Sequence, residues 1–383
     1  MGGNLISFFG DQIYLIAIPL MVLALTGSPL SMGIVTALER LPILLQPLTG
    51  ILADRFNRKV LLQICDLTRS ILIGALGLLF IFNHLHMWQL YCGAFVIGIL
   101  SQIYNTSQFA SVPGLVRKDD LQAINSLNTG IFNTAVFVAP GLGGLLISLY
   151  NPGYALLINS FSFFIAFLAV TSIAMKPSNI NSKGKGSFIE DIREGFQFVI
   201  KTKPILFTNL AMLASIFGTT LFLTMMVFHL KDTIQLSANE IGWLLSAGGV
   251  GAIIGAIATS WLRKSLSYRT ILFTASIVGG LSIVLFGLSD SYFELLVLNG
   301  VGTFAASMMS PCIVTLRQTL TPDRLLGRVQ ATSRFMTWIL MPVAAFLAGV
   351  MSSQIGTNDT IVIGGVVSTL ASFIYLHSSL KSN

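Results

Sequence analysis

Charged residues and cysteines are scarce in this sequence. Only 10% of the 383 residues are charged, whereas soluble globular domains contain about 25%. Because 54% of the residues are hydrophobic, a water-soluble protein of this size could not cover its apolar surface. Three cysteines cannot form a disulfide framework, and the density of Leu, Ile, Val and Phe excludes disorder. We therefore interpret the chain as a polytopic membrane protein.

Several kinds of chemistry also lack their sequence patterns. There is no G-x-x-x-x-G-K-[ST] loop, so ATP cannot drive this chain directly. The cysteines and the four histidines show no metal-ligand spacing, and no Ser/His/Asp arrangement is evident. We expect no enzyme activity, no cofactor and no metal site.

Long apolar runs are what the sequence has in abundance. A membrane helix needs about 20 mostly apolar residues, and these runs are too continuous to be the alternating strands of a barrel. The sequence predicts an all-α membrane protein with twelve transmembrane helices. They are expected at 4–26, 30–53, 60–82, 88–111, 121–148, 154–175, 205–230, 240–262, 268–288, 292–316, 327–351 and 359–378.

The basic residues predict the orientation of these helices. With both termini inside, 19 of the 22 Lys and Arg residues fall in segments assigned to the cytoplasm, including Arg317 and Arg334, as the positive-inside rule requires. The net charge of +7 is therefore attributed to topology, and we expect no nucleic-acid partner.

The connection after the sixth span divides the chain into two halves. We expect six-helix bundles at 1–175 and 205–383, joined by a cytoplasmic linker at 176–204. Within the linker, Ser187 and Glu190 have capping-box spacing, and an amphipathic helix follows on the cytoplasmic surface. It is either a plain linker or a regulatory element. A shift of 205 residues aligns the halves weakly, which indicates an internal duplication.

The segment between spans two and three carries a dense motif. Five of its positions are Gly50, Asp54, Arg55, Arg58 and Lys59. Here the chain resembles the major facilitator superfamily, whose signature in this loop is G-x-L-A-D-R-x-G-R-K. The resemblance implies two pseudo-symmetric six-helix bundles and a gating role for the loop. Physically, Asp54 would meet the positive N-terminus of span eleven, and the alternative is a purely topological role for the basic residues.

Span five carries Ala139, Pro140, Gly143 and Gly144. This stretch is similar to the G-P-x-x-G-G motif of antiporter branches of the superfamily, and small residues of this kind allow close helix packing. The alternative is an ordinary Pro-kinked helix. Further matches resemble the macrolide-efflux and enterobactin-exporter type of bacterial facilitator. They lie at 28–33, 66–69, 115–127 and 321–329. The Pro-Ala-Arg often found late in span four is replaced by 106–108, which leaves the substrate class open.

Ionisable residues within the spans are functional candidates, because each costs about 2.5–3.5 kcal/mol near a helix centre. Asp66 and Arg69 lie three residues apart on one helical face and are expected to form a structural ion pair. Asp11 on span one and Glu39 on span two are candidates for proton coupling or cation binding. The alternative for each is a satisfied ion pair with Arg40 or a neighbouring helix.

The resemblance implies that spans one, four, seven and ten line a substrate cavity. Methionine and aromatic side chains suit bulky apolar ligands, although such residues are also common in cores and facing lipid. The cavity candidates are Tyr14, Arg40, Tyr104, Met225, Met226, Met308 and Met309.

These features together predict an exporter in the bacterial plasma membrane. We expect it to exchange an amphipathic small molecule (a drug, a macrolide or a siderophore-like compound) for protons by alternating access. Its expected partners are this substrate, protons and the lipid bilayer, with no obligatory protein partner. The alternatives are an importer or facilitator of the same fold, and a transport-inactive membrane sensor or assembly partner.

Overall fold

The structure is a computed structural model that describes residues 2–46, 48–49, 52, 56–115, 121–172 and 188–380. This part of the chain is helical, and we number its α-helices in chain order. The first seven are α1 (Gly2–Thr26), α2 (Pro29–Arg40), α3 (Arg58–Ile81), α4 (Met87–Leu115), α5 (Leu121–Leu149), α6 (Pro152–Ser172) and α7 (Phe188–Lys201). The next seven are α8 (Lys203–Phe228), α9 (Ala238–Leu262), α10 (Tyr268–Leu288), α11 (Tyr292–Leu320), α12 (Leu326–Trp338), α13 (Met341–Ile355) and α14 (Thr357–Ser372).

Ten helical segments in the described residues are long and apolar enough to cross a membrane. They correspond to ten of the twelve predicted spans. The other two predicted spans contain α2, which continues as a 3-10 turn over Leu41–Leu45, and α5, of which Thr134–Leu149 forms a shorter apolar helix. The coarse prediction of a helical multi-pass protein is therefore confirmed.

Local signals in the sequence set several helix ends. Gly27 ends α1 with a positive φ of 57°, a conformation that glycine adopts without strain. The Ser28 side chain then accepts a hydrogen bond from the Ser31 amide, and Pro29 opens α2. Asn57 and Ser267 cap α3 and α10 in the same way.

The described chain forms two compact units. The first unit comprises Met1–Ser182 and Val227–Ser246. In it, α6 packs against α1 and α3, and α2 packs against α4. The hydroxyl of Ser70 donates to the Ser160 carbonyl at 2.8 Å, and that of Ser160 donates to the Ser70 carbonyl at 2.6 Å. These reciprocal bonds join α3 to α6.

The second unit comprises Lys183–Met226 and Ala247–Asn383. Its α10 packs against α11 and α14, and α7 packs against α12. A buried apolar cluster of Val199, Ile205, Leu325 and Val329 joins α7 to α12 and to the start of α8. The linker helix is thus an integral part of the second unit.

Candidate functional site

A buried ion pair lies at the centre of the first unit. Arg69 donates to Asp66 at 2.6 Å, with side chains 4% and 0% exposed, and the pair has the i,i+3 spacing on which it was predicted. The Arg69 guanidinium also lies between two aromatic rings, 4.3 Å from the centroid of Tyr104 and 4.1 Å from that of Phe163. Because the cation is paired and stacked, it can remain charged within the core.

Asp11 lies in the electrostatic field of this pair, and Glu39 lies in that of Asp11. Asp11 interacts electrostatically with Arg69, Glu39 and Asp66, and the phenol of Tyr14 does so with Asp11 and Glu39. Both carboxylates are half-buried, and neither forms an ion pair or a side-chain hydrogen bond within the described residues. Glu39 interacts electrostatically with Arg40, but the two side chains do not form an ion pair within the described residues.

Asn159 also packs against α1, and no sequence pattern singles it out. The side chains of Asn159 and Ser162 on α6 press against Gly10, where a Cβ would lie 3.0 Å from the Asn159 Cγ. Asn159 is fully buried, and its Nδ2 has no partner in the described chain. Gly10 therefore lets the Asn159 side chain of α6 pack directly against the residue that precedes Asp11.

The loop motif is only partly within the described residues. Gly50, Asp54 and Arg55 lie outside them, so their gating role stays a prediction. Arg58 is the first residue of α3, and the Nζ of Lys59 donates to the Thr171 carbonyl at the end of α6 at 2.8 Å. This contact ties the start of α3 to the last turn of α6.

The small-residue motif of α5 is a close helix contact. A Cβ on Gly144 would lie 2.8 Å from the Gly242 Cα, and one on Gly242 would lie 2.9 Å from the Gly144 Cα. The Gly141 amide also donates to the Ser246 hydroxyl at 2.9 Å. The backbones of α5 and α9 thus touch without intervening side chains.

Other residues of the motif face inward in the first unit. Ala139 is fully buried and Pro140 lies within α5. Gly143 faces Ile13 of α1, where a Cβ would lie 3.1 Å from the Ile13 Cγ1. The motif therefore packs on two neighbours, α1 and α9.

Most of the predicted cavity residues are buried. Tyr14, Tyr104, Met225, Met226 and Met308 are each less than 9% exposed. Of the seven candidates, only Arg40 and Met309 are partly exposed. Tyr104 packs in the core beside Cys65, and Met308 packs beside Cys312 with Met309 against the same cluster. In this conformation the tyrosines and methionines serve packing, and their role as cavity walls stays a prediction.

Two polar groups of the second unit were not anticipated. Glu194 of α7 accepts from Arg324 at 2.9 Å and also pairs with Arg328, so the linker helix is tied to the start of α12. The predicted tenth span ended at 316, whereas α11 continues to Leu320 and buries Arg317. The cytoplasmic assignment of Arg317 stays a prediction. Arg334 likewise lies inside α12.

No cluster of three or more His, Cys, Asp or Glu side chains that could hold a metal occurs among the described residues. The arrangement offers instead unpaired carboxylates beside a fixed ion pair, together with closely packed glycine contacts. Carboxylates of this kind can exchange protons, and glycine contacts of this kind allow helices to pack closely or separate.

Comparisons with known proteins agree with a transport role. A family model described as transmembrane secretion effector matches residues 2–383. The chain is 24% identical to the multidrug efflux pump Tap of Mycolicibacterium fortuitum over 369 residues, which cover 92% of this chain and 88% of that protein. It is also 24% identical to the enterobactin exporter EntS of Shigella boydii over 315 residues, covering 82% and 75%.

Among solved structures, the fold is similar to that of a bacterial homologue of the iron transporter ferroportin in an inward-facing state. The TM-score is 0.75 at 18% identity, with 98% of this chain and 96% of that chain covered. At this identity the similarity concerns the fold and carries no information on substrate.

Proposed function

Because this chain belongs to the transmembrane secretion effectors of the major facilitator superfamily, we propose that it exports an amphipathic small molecule from the cell by proton antiport. The substrate class follows the names of its relatives, a multidrug efflux pump and an enterobactin exporter. The protein is a multi-pass transporter. In this proposal it lies in the plasma membrane with both termini in the cytoplasm, and six-helix bundles at 1–175 and 205–383 alternate access around the linker at 176–204.

The observation that carries the coupling proposal is the state of Asp11 and Glu39. They are half-buried and have no ion-pair partner in the described chain. They interact electrostatically with each other, and Asp11 also interacts with the Asp66–Arg69 pair. A carboxylate kept at membrane depth without a partner is costly. The surroundings of a carboxylate set its affinity for a proton, so a conformational change that alters them can drive proton uptake on one side and release on the other.

The membrane potential supplies sufficient energy for this exchange. One charge moved through about 100 mV is worth about 2.3 kcal/mol before any pH gradient is counted. That is more than a tenfold concentration gradient of a neutral substrate requires, since a factor of ten corresponds to about 1.4 kcal/mol.

The gating part of the proposal rests on α5 and α9. The Gly144–Gly242 contact closes one end of the transport path when it is formed, and its separation opens that end. Asp54 forms a latch at the cytoplasmic end, at the start of α12. Asn159 acts as a positioning residue in this proposal, because its Nδ2 has no partner in the described chain and its side chain packs against Gly10, which precedes Asp11.

The test is transport by the purified full chain in proteoliposomes with an imposed pH gradient. The substrate panel contains macrolides, siderophores, cationic dyes and lipids. Asp11→Asn and Glu39→Gln are compared with Asp359→Asn, a matched control that neutralises an exposed carboxylate in the first turn of α14. We expect at least one of the two test variants to abolish gradient-driven transport and to retain downhill exchange, while the control transports normally.

Two outcomes would contradict the proposal. If both test variants pump normally, the proton is carried elsewhere. If the wild-type protein moves substrate in the same direction as the protons, rather than in the opposite direction, the chain is an importer of the same fold. Absence of transport for the whole panel would favour a sensor or assembly partner.

A further inference from the structure

The second unit contains a buried arginine without a counter-ion. Arg317 is 6% exposed, and its Nη2 donates to the Asn209 Oδ1 at 2.7 Å and contacts the Met212 Sδ at 3.5 Å. No described carboxylate lies within ion-pair distance of it. Arg69, the buried arginine of the first unit, is instead neutralised by Asp66. The buried guanidinium thus has a carboxylate partner in the first unit and none in the described part of the second unit.

A second observation points to the same place. The Nε of Arg317 and the hydroxyl of Tyr375 are both buried, and neither has a hydrogen-bond partner in the described chain. Tyr375 is 0% exposed, and the two side chains interact electrostatically. Tyr375 belongs to the same buried cluster as Leu316, the residue before Arg317, and Met212 packs against that cluster. The two unsatisfied donors thus lie in one buried region, near the bond from Asn209 to the Ser333 hydroxyl at 3.0 Å.

Such a group is unfavourable unless a ligand completes it. An unpaired buried charge costs several kcal/mol, and buried polar atoms are almost always hydrogen-bonded. The unsatisfied groups can both donate, since a guanidinium has five N–H donors and no acceptor and a phenol has one O–H. The complementary ligand is an anion with several acceptor oxygens, which would neutralise the charge and accept both bonds.

We propose that the second unit binds an anionic group, a carboxylate or a phosphate, between Arg317 and Tyr375. Four elements supply the surroundings: α8 through Asn209, α11 through Arg317, α12 through Ser333, and the 3-10 turn Phe373–Leu376 through Tyr375. The anion links these elements, so its binding stabilises the second unit. A lipid headgroup and a soluble phosphate share this chemistry, and the experiment separates them.

The experiment measures thermal unfolding of the purified full chain by tryptophan fluorescence. In one arm, the protein in a neutral detergent is titrated with inorganic phosphate against chloride at constant ionic strength. In the other, it is placed in nanodiscs of phosphatidylcholine with or without phosphatidylglycerol. The variants are Arg317→Gln and Tyr375→Phe. Lys264→Gln is the matched control, because it removes an exposed cation from the same unit.

We expect phosphate, phosphatidylglycerol or both to raise the Tm of the wild-type protein. Arg317→Gln should lower the affinity for the anion that raises the Tm by at least about tenfold, since a charge-assisted hydrogen bond is lost. Tyr375→Phe should lower this affinity severalfold, and Lys264→Gln should leave it unchanged. A response to phosphatidylglycerol alone assigns a lipid headgroup, and a response to phosphate assigns a soluble anion.

The inference is overturned if neither anion stabilises the wild-type protein. It is also overturned if Lys264→Gln reduces the response as much as Arg317→Gln does, because the effect would then be surface electrostatics. Should Arg317→Gln fail to fold, Tyr375→Phe decides, since it keeps the ring and removes only the hydroxyl. An unchanged response in Tyr375→Phe would then refute the site.

Discussion

The contact between α5 and α9 allows a quantitative prediction for a single methyl group. In Gly144→Ala, the new Cβ would lie 2.8 Å from the Gly242 Cα, whereas ordinary van der Waals contact starts at 3.4 Å. The Ala238 carbonyl oxygen lies closer still to the new Cβ. The two backbones must therefore separate by about 0.6 Å, the difference between these distances, or more. Neither neighbour can yield by rotating a side chain, because both groups are backbone.

The energetic consequence follows from the cost of overpacking, which is about 1–3 kcal/mol in a close-packed site. Alanine also favours the helix more than glycine by about 1 kcal/mol. That gain is the same whether or not α5 and α9 touch, so it cancels between the two arrangements. The substitution should thus shift the equilibrium away from the packed arrangement by about 5- to 150-fold.

The assay is distance measurement by electron paramagnetic resonance between spin labels at Leu149 and Asp232. Both positions are exposed, and they lie at the end of α5 and just before α9. Cys92 is exposed and must first be replaced by serine to avoid a third label. We expect Gly144→Ala to populate longer distances than the unsubstituted protein and to slow transport.

The control is Gly279→Ala in α10, where the added Cβ would lie 3.7 Å from the Ala305 Cβ in ordinary contact. It changes helix propensity in the same way without overpacking. If Gly144→Ala gives the same distances as Gly279→Ala, the glycine contact does not control separation of α5 and α9. The gating role proposed for the motif would then be wrong.

Three further predictions concern topology, the latch and the core. A cysteine at Ser178 should need a permeant reagent for labelling and one at Asn151 should react with an impermeant reagent; the reverse pattern would refute the orientation. Asp54→Asn should favour the inward-open state, by the roughly 0.3–2 kcal/mol of a charge–dipole contact, and Thr259→Ala should have a far smaller effect. Spin-label distances between the cytoplasmic ends of spans two and eleven measure this shift. Equal effects of the two substitutions would refute a one-sided latch. Arg69→Met should destabilise the protein by about 3–5 kcal/mol, because the carboxylate of Asp66 stays buried and unpaired. Thermal unfolding in detergent measures this change. A decrease in the free energy of unfolding below about 1 kcal/mol would contradict a structural role for the pair.

Features that depend on short segments could be predicted from the sequence. The span at 268–288 coincides with α10, Tyr268–Leu288, because a long apolar run dictates a helix in lipid and Ser267 caps its start. The Asp66–Arg69 pair was also predictable, since residues three apart share a helical face. Both depend only on local geometry that every α-helix has in common.

The ends of the spans could be predicted less sharply than their centres, and for this reason the sequence did not point to the candidate site around Arg317. The predicted tenth span ended at 316, which put Arg317 outside the membrane helix. The helix continues to Leu320, because the end of a helix is defined only to within a few residues and an apolar run does not mark it sharply. A buried arginine therefore looked like a loop residue that only sets topology.

Apolar runs and motif spacing determined the helical class, the number of long hydrophobic segments and the identity of the small-residue and acidic candidates. The tertiary structure decided which distant residues meet: Gly144 with Gly242, and Arg317 with Asn209, which lies 108 positions away. It also decided that Asp11 and Glu39 have no ion-pair partner in the described chain while Arg69 does. The physical reason is that burial and pairing depend on packing between helices, and an almost uniformly apolar sequence specifies many such packings about equally well.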